Sequence, residues 1–253
     1  MQDKVVVITG ASRGLGKSLA NVLASKGAKL VISGRNKKDL EGVAKGIASK
    51  ITKKTEALAV VADITKENEV IHIADIAVEK FGRIDVWINN AGVWLPKMPI
   101  EKIDMKKAHE LLEVNLFGTI YGARAAITAM KKRGDRIGDG MIVNIISTSA
   151  LQGRPNQSIY SASKHAAKGF TDSIREELSA GNADGDAGGC ITVIGVYPGG
   201  IKTSMFDAAK PADFDDFMDP DVVAAKIVEN LEKDKPEVEQ ILKRQGQEWN
   251  SNL

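Results

Sequence analysis

The sequence predicts an α/β fold, a single doubly wound parallel sheet with helices on both faces, and three observations lead there. Short β-branched runs alternate with stretches of helical periodicity. The first such run ends in a glycine-rich turn that opens a helix, and no linker or composition break divides the 253 residues. Strands and helices of these lengths imply right-handed crossovers and a sheet covered on both sides, hence one Rossmann-like domain over residues 1–253.

In chain order, residues 4–9 (KVVVIT) form a strand ending at Gly10, and the spacing predicts a helix over about 14–26 that stops at Gly27. The pattern repeats as a strand at 29–33, a helix at about 37–52, a strand at 57–61, a helix at about 66–80 and a strand at 84–88. Two helical stretches within about 101–132 precede a strand at 141–146, a helix at about 158–179 and a strand at 191–197. Residues 181–189 (GNADGDAGG) read as a flexible surface loop, and 199–220, with Gly, Pro and scattered aromatics, as a candidate substrate lid. A capped helix at about 220–233 follows. Pro236 and the apolar residues Val238, Ile241 and Leu242 then predict a short edge strand.

Composition sets the broad class. Hydrophobic residues make up 43% and charged residues 27%, and no apolar run approaches the length of a membrane span. The first residues run directly into a strand with no separate signal-peptide regions, so a cytoplasmic location is expected. Net charge is only +2 and its signs are interspersed, which gives no electrostatic case for nucleic acid. The basic run Lys131, Lys132, Arg133 reads as a solvated helix end. Cys190, the one cysteine, is expected to be a small buried hydrophobe, and His72, His109 and His165 lack ligand-like spacing, so no metal is expected.

Thr9, Gly10, Gly14 and Gly16 lie in TGASRGLG at the first strand–helix junction. Glycines there permit a tight turn and let a pyrophosphate approach backbone N–H groups at a helix N-terminus. In the first βα turn of a doubly wound pattern this points to a dinucleotide.

The TGxxxGxG spacing resembles that of the short-chain dehydrogenase/reductase family. The resemblance continues through Asp63 after the third strand, NNAG at 89–92, Asn115, Ser147, Tyr160 with Lys164 in YSASK, and Pro198 with Gly199. These motifs stand in order over nearly the whole chain, and the thirteen residues from Ser147 to Tyr160 match the family's usual interval. The resemblance implies an oxidoreductase in which Tyr160 exchanges a proton with a carbonyl or alcohol. Tyr160 and Lys164, four apart, share a helix face, so the Lys164 ammonium is expected to lower the phenol's pKa. By resemblance, Lys164 also bonds the nicotinamide ribose, Ser147 donates to the substrate oxygen, and Asn115 holds a water on the proton path. The cofactor residues implied are Gly10, Ser12, Arg13, Gly14, Leu15, Gly16, Arg35, Asp63, Ile64, Asn90, Ala91, Gly92, Tyr160, Lys164, Pro198, Gly199 and Thr203. Asp63 is expected at the adenine edge.

NADP(H) is expected over NAD(H). The end of the second strand, where an acidic residue would bond a ribose 2′-hydroxyl, holds Gly34, and Arg35 and Arg13 are placed to flank a 2′-phosphate. NADPH in turn implies reduction of a ketone or aldehyde. Trp94, Met98, Met205, Phe206, Phe214 and Phe217 lie in loops and read equally well as loop packing or as pocket lining. The chain departs from the family pattern at Ile146, which replaces the first serine of NISS, and at its C-terminus, which lacks the usual DGG turn. The resemblance also implies a homodimer or homotetramer through the helices at 101–132 and 158–179. Two other readings stand beside the reductase: a non-catalytic NADP(H)-binding scaffold protein, and an epimerase or dehydratase using the same cofactor site.

Overall fold

The computed structural model describes residues 1–50, 56–132, 140–179 and 191–244. Seven strands are found among them: β1 (Val5–Ile8), β2 (Lys29–Gly34), β3 (Ala57–Val61), β4 (Val86–Asn89), β5 (Met141–Ile145), β6 (Thr192–Pro198) and β7 (Glu239–Leu242). They form one parallel sheet in the order β3-β2-β1-β4-β5-β6-β7, so the winding direction reverses between β1 and β4. A crevice opens there at the carboxyl ends of the strands.

Side chains alternate across each strand, and the two resulting cores are distinct. Val6 and Ile8 of β1 face helices α1 (Gly14–Ser25), α2 (Lys37–Lys50) and α7 (Pro220–Leu231), where Leu19, Leu40 and Ile227 are fully buried. Val7 faces the opposite layer, α3 (Glu67–Phe81), α5 (Gly118–Lys131) and α6 (Ser158–Ser179), together with Trp87 of β4. Each core side chain of that size contributes about 1.5–3 kcal/mol by leaving water.

Three expectations are refined. The helical stretch at 101–132 opens later than expected, because Asp104 caps α4 (Met105–Leu112) by accepting a hydrogen bond from the Lys106 N–H at 2.9 Å. A π-helical turn, Glu113–Phe117, then joins α4 to α5 and carries Asn115. The last strand forms, but its inward residues are Gln240 and Leu242, while Val238 and Ile241 are exposed. Only one side of β7 meets the core, as an edge position dictates. The loop at 181–189, Arg133, Cys190 and the chain after residue 244 lie outside the described residues.

Candidate active site

The glycine turn after β1 is locked to the segment after β4. Gly10 and Gly14 adopt left-handed conformations, φ 66° and 53°. A Cβ on Gly10 would lie 2.7 Å from Ala91 Cα; one on Gly16 would overlap the Gly10 carbonyl oxygen. Asn90 Nδ2 donates to the carbonyls of Thr9 and Gly10 at 2.9 and 3.0 Å, and the Thr9 hydroxyl accepts from the Asn90 and Ala91 N–H groups. NNAG is therefore more than a turn: Asn90 braces the glycine loop. Asn89 is turned into the sheet, accepting from Trp87 Nε1 at 2.7 Å and donating to Asn144 Oδ1 at 2.9 Å.

Two cavities meet at the crevice. One, of about 400 Å³, is lined by every residue expected to hold the cofactor, from Gly10 to Thr203, with Tyr160 and Lys164 at its far end. Arg13 and Arg35 stand exposed at its mouth, and a Cβ on Gly34 would make ordinary contacts with Ser12 and Leu40. Asp63 accepts from Thr65 N–H and Oγ1 at 3.1 and 2.9 Å. Burial raises its pKa, but these bonds and the Arg35 and Lys66 charges outweigh it, leaving the carboxyl below its ordinary value. The second cavity, of about 420 Å³, shares Trp94, Ser147, Tyr160, Gly199 and Phe206 with the first. Ser147 and Tyr160 thus stand where the two open into each other.

Lys164 and Asn115 are both buried. Helical spacing does put Tyr160 and Lys164 on one face, yet the Lys164 Nζ lies 5.8 Å from the Tyr160 ring centroid and donates to the Ile145 carbonyl at 3.3 Å. Burial raises the Tyr160 pKa; a hydrogen bond with Ser147 and the Arg154 charge oppose that rise. Burial also lowers Lys164 to about 8, so at neutral pH most of its population keeps the charge. Asn115 is 1% exposed and lines neither cavity. Its Oδ1 accepts from the Val93 N–H at 2.8 Å, and its Nδ2 donates to the Val93 carbonyl and to Ser163 Oγ at 2.9 and 3.2 Å. With its carboxamide committed to protein partners, Asn115 positions the segment after β4.

The loop aromatics are pocket walls for the most part. Trp94, Phe206 and Phe217 line the second cavity, Met205 lines the first, and Phe214 packs on Phe206 and Phe217. Residues of 199–220 line both cavities, and Ile201 and Met218 form an isolated bridge within that segment. Sequence reasoning missed Val93, Val114 and Ile145 in the first cavity and Lys97, Arg154 and Arg244 in the second. No motif marks them; Arg154 carried a signal only in its place between Ser147 and Tyr160. His72, His109 and His165 are exposed on α3, α4 and α6. Among the described residues no helix is long and apolar enough to cross a membrane.

A glycine-turn cavity at the switch point of a doubly wound sheet defines an α/β protein of the dinucleotide-binding class. The chain belongs to the short chain dehydrogenase family, whose model matches residues 4–213, and is an oxidoreductase of that family. It is 37% identical over 205 residues to the protein named Uncharacterized oxidoreductase YxnA from Bacillus subtilis (strain 168), covering 80% of this chain and 53% of that one. This chain therefore spans about half the length of that relative. Among solved structures, an alcohol dehydrogenase from the archaeon Thermococcus sibiricus, complexed with 5-hydroxy-NADP, is similar with a TM-score of 0.84 and 26% identity, covering 98% of this chain and 99% of that one. A 3-ketoacyl-(acyl-carrier-protein) reductase from Brucella melitensis, complexed with NADH, is similar with a TM-score of 0.82 and 29% identity, covering 95% and 96%.

Proposed function

We propose that this protein is an NADPH-dependent reductase of a small ketone or aldehyde, with Tyr160 as the general acid. The observation that carries the reading is the meeting of the two cavities at Ser147 and Tyr160, with Lys164 on the dinucleotide side. The first cavity fits a dinucleotide: Gly10 and Gly16 let the turn pack directly against Ala91 and Asn90, where a Cβ would clash, and the first turn of α1 has no side-chain cap for its N–H groups. Structural neighbours are complexed with both 5-hydroxy-NADP and NADH. The choice of NADPH rests on this chain's own residues, Gly34 where an acid would select NADH, and Arg35 and Arg13 beside the same mouth.

Hydride exchange with the carbonyl carbon is the chemistry that a reduced nicotinamide supplies when bound. Ser147 Oγ donates to the substrate oxygen as negative charge gathers there, and Tyr160 Oη delivers the proton. Burial raises the Tyr160 pKa, and the Ser147 hydrogen bond and the Arg154 charge work against that rise and so favour release of the proton. Lys164 Nζ binds ribose hydroxyls from the floor of the first cavity. Asn115 holds the Val93 backbone in place, and residues 199–220 close over both cavities as a lid, excluding water. The chain works as a single cytoplasmic domain and assembles as a homodimer or homotetramer through the face of α4, α5 and α6, where Ile100, Met105 and Phe117 are exposed.

Fluorescence titration of NADPH and NADH tests the reading. NADPH should bind about tenfold or more tightly, consistent with charge-assisted bonds to its phosphate. Arg35→Ala and Arg13→Ala should each weaken it, and Gly34→Asp should favour NADH. Tyr160→Phe should abolish turnover while NADPH affinity holds. Absence of binding by either cofactor would sink the assignment.

A further inference from the structure

The second cavity carries more charge than carbonyl reduction requires. One wall is aromatic: the Trp94 and Phe206 ring centroids lie 5.0 Å apart, and Phe206 meets Phe217 edge-on at 5.3 Å. The charged lining residues are Lys97, Arg154 and Arg244 against a single carboxylate, Asp213. Asp213 is taken by Arg244, 2.8 Å away, which also stacks on Phe217 at 5.7 Å. Two cations then remain without a carboxylate pair among the described residues.

Of these, Arg154 is the better placed. It is half-buried, and its side-chain hydrogen bond, Nη2 to Thr148 Oγ1, is a long one at 3.5 Å. A guanidinium withdrawn from water without a countercharge is costly, and its planar fork matches the two oxygens of one oxoacid group. Arg154 shares the cavity with Ser147 and Tyr160, and its charge bears on the Tyr160 hydroxyl. Lys97 stands exposed at the rim, close enough to Asp213 to lower its pKa, though burial of Asp213 acts the other way, and adds to the positive potential at the entrance.

We infer that the substrate is an aryl or similarly planar apolar carbonyl compound bearing an anionic oxoacid group, a carboxylate or a phosphate monoester, which Arg154 grips while the Trp94–Phe206–Phe217 wall holds the ring. The inference rests on reading this cavity as the substrate side of a reductase.

The test titrates the NADPH-saturated protein by calorimetry with phenylacetate, 3-phenylpropanoate and phenyl phosphate, and with phenylacetamide, 3-phenylpropanamide and phenol as neutral counterparts. At least one anion should bind about tenfold or more tightly than its counterpart. Arg154→Ala should erase that preference with NADPH affinity unchanged, and Arg154→Lys should restore part of it. Whether the carboxylates or the phosphate show the larger preference identifies the oxoacid. Equal binding of each pair, binding by none of the anions, or a preference that survives Arg154→Ala would overturn the inference. Should NADPH itself fail to bind, the reductase reading falls, and the same titration of the cofactor-free protein still decides the anion site.

Discussion

Lys164 is 5% exposed, and its ammonium sits against one carbonyl, so the folded protein bears the cost of a buried charge whenever that lysine is protonated. Its folded pKa is lowered from 10.5 to about 8. Below pH 8 folded and unfolded chains both carry the proton and the folded one bears the desolvation. Between 8 and 10.5 the folded chain sheds the proton first, so this group's contribution to stability rises with pH, by about 3 kcal/mol in all. Lys164→Met should therefore raise the Tm of the cofactor-free protein at pH 7, and the advantage should shrink by pH 10. An equal advantage at both pH values would refute the buried-charge account. The YSASK motif makes the pairing of Tyr160 and Lys164 legible in sequence. The direction of the Tyr160 shift was not legible, since it depends on desolvation and on Arg154, which spacing along a helix does not report.

Among the elements, a buried chain of amides ties β4, β5 and α6 together behind the site. Trp87 donates to Asn89, Asn89 to Asn144 and Asn144 to the Thr171 hydroxyl at 2.7, 2.9 and 2.9 Å. Asn89 also reaches the Thr119 carbonyl on α5 at 3.3 Å, across a gap kept open by Gly122, where a Cβ would overlap Asn89 Oδ1. Asn144→Val should cost about 2–3 kcal/mol in urea unfolding, because it strands a buried donor of Asn89. A loss below about 0.5 kcal/mol would mean that the network is incidental. The strands themselves were readable to within a residue or two from β-branched runs, and α6 from periodicity alone. The network was not, because its partners lie 55 and 27 residues apart in the chain.

Over the whole molecule, the proposed assembly gives a further check. Ile100, Met105 and Phe117 are 55%, 56% and 40% exposed around α4, a concentration of apolar surface that a partner copy would cover. Sedimentation should report a dimer or tetramer, and Met105→Glu with Phe117→Glu should shift it toward monomer; a wild-type monomer would remove the proposal. By itself the sequence determined the order of strands and helices along the chain and the glycine turn after the first strand, while Val93, Val114 and Ile145 of the dinucleotide cavity carry no motif. The elements and the turn are local patterns or motifs, which periodicity and spacing along the chain report directly. The tertiary structure alone decided that loop aromatics from residues 94, 206 and 217 form one wall and that Arg154 faces the same cavity as Tyr160. It alone joined the Asn115 carboxamide to Val93 and Ser163. Those outcomes come from distant segments meeting through space and excluding water, which periodicity and spacing do not encode.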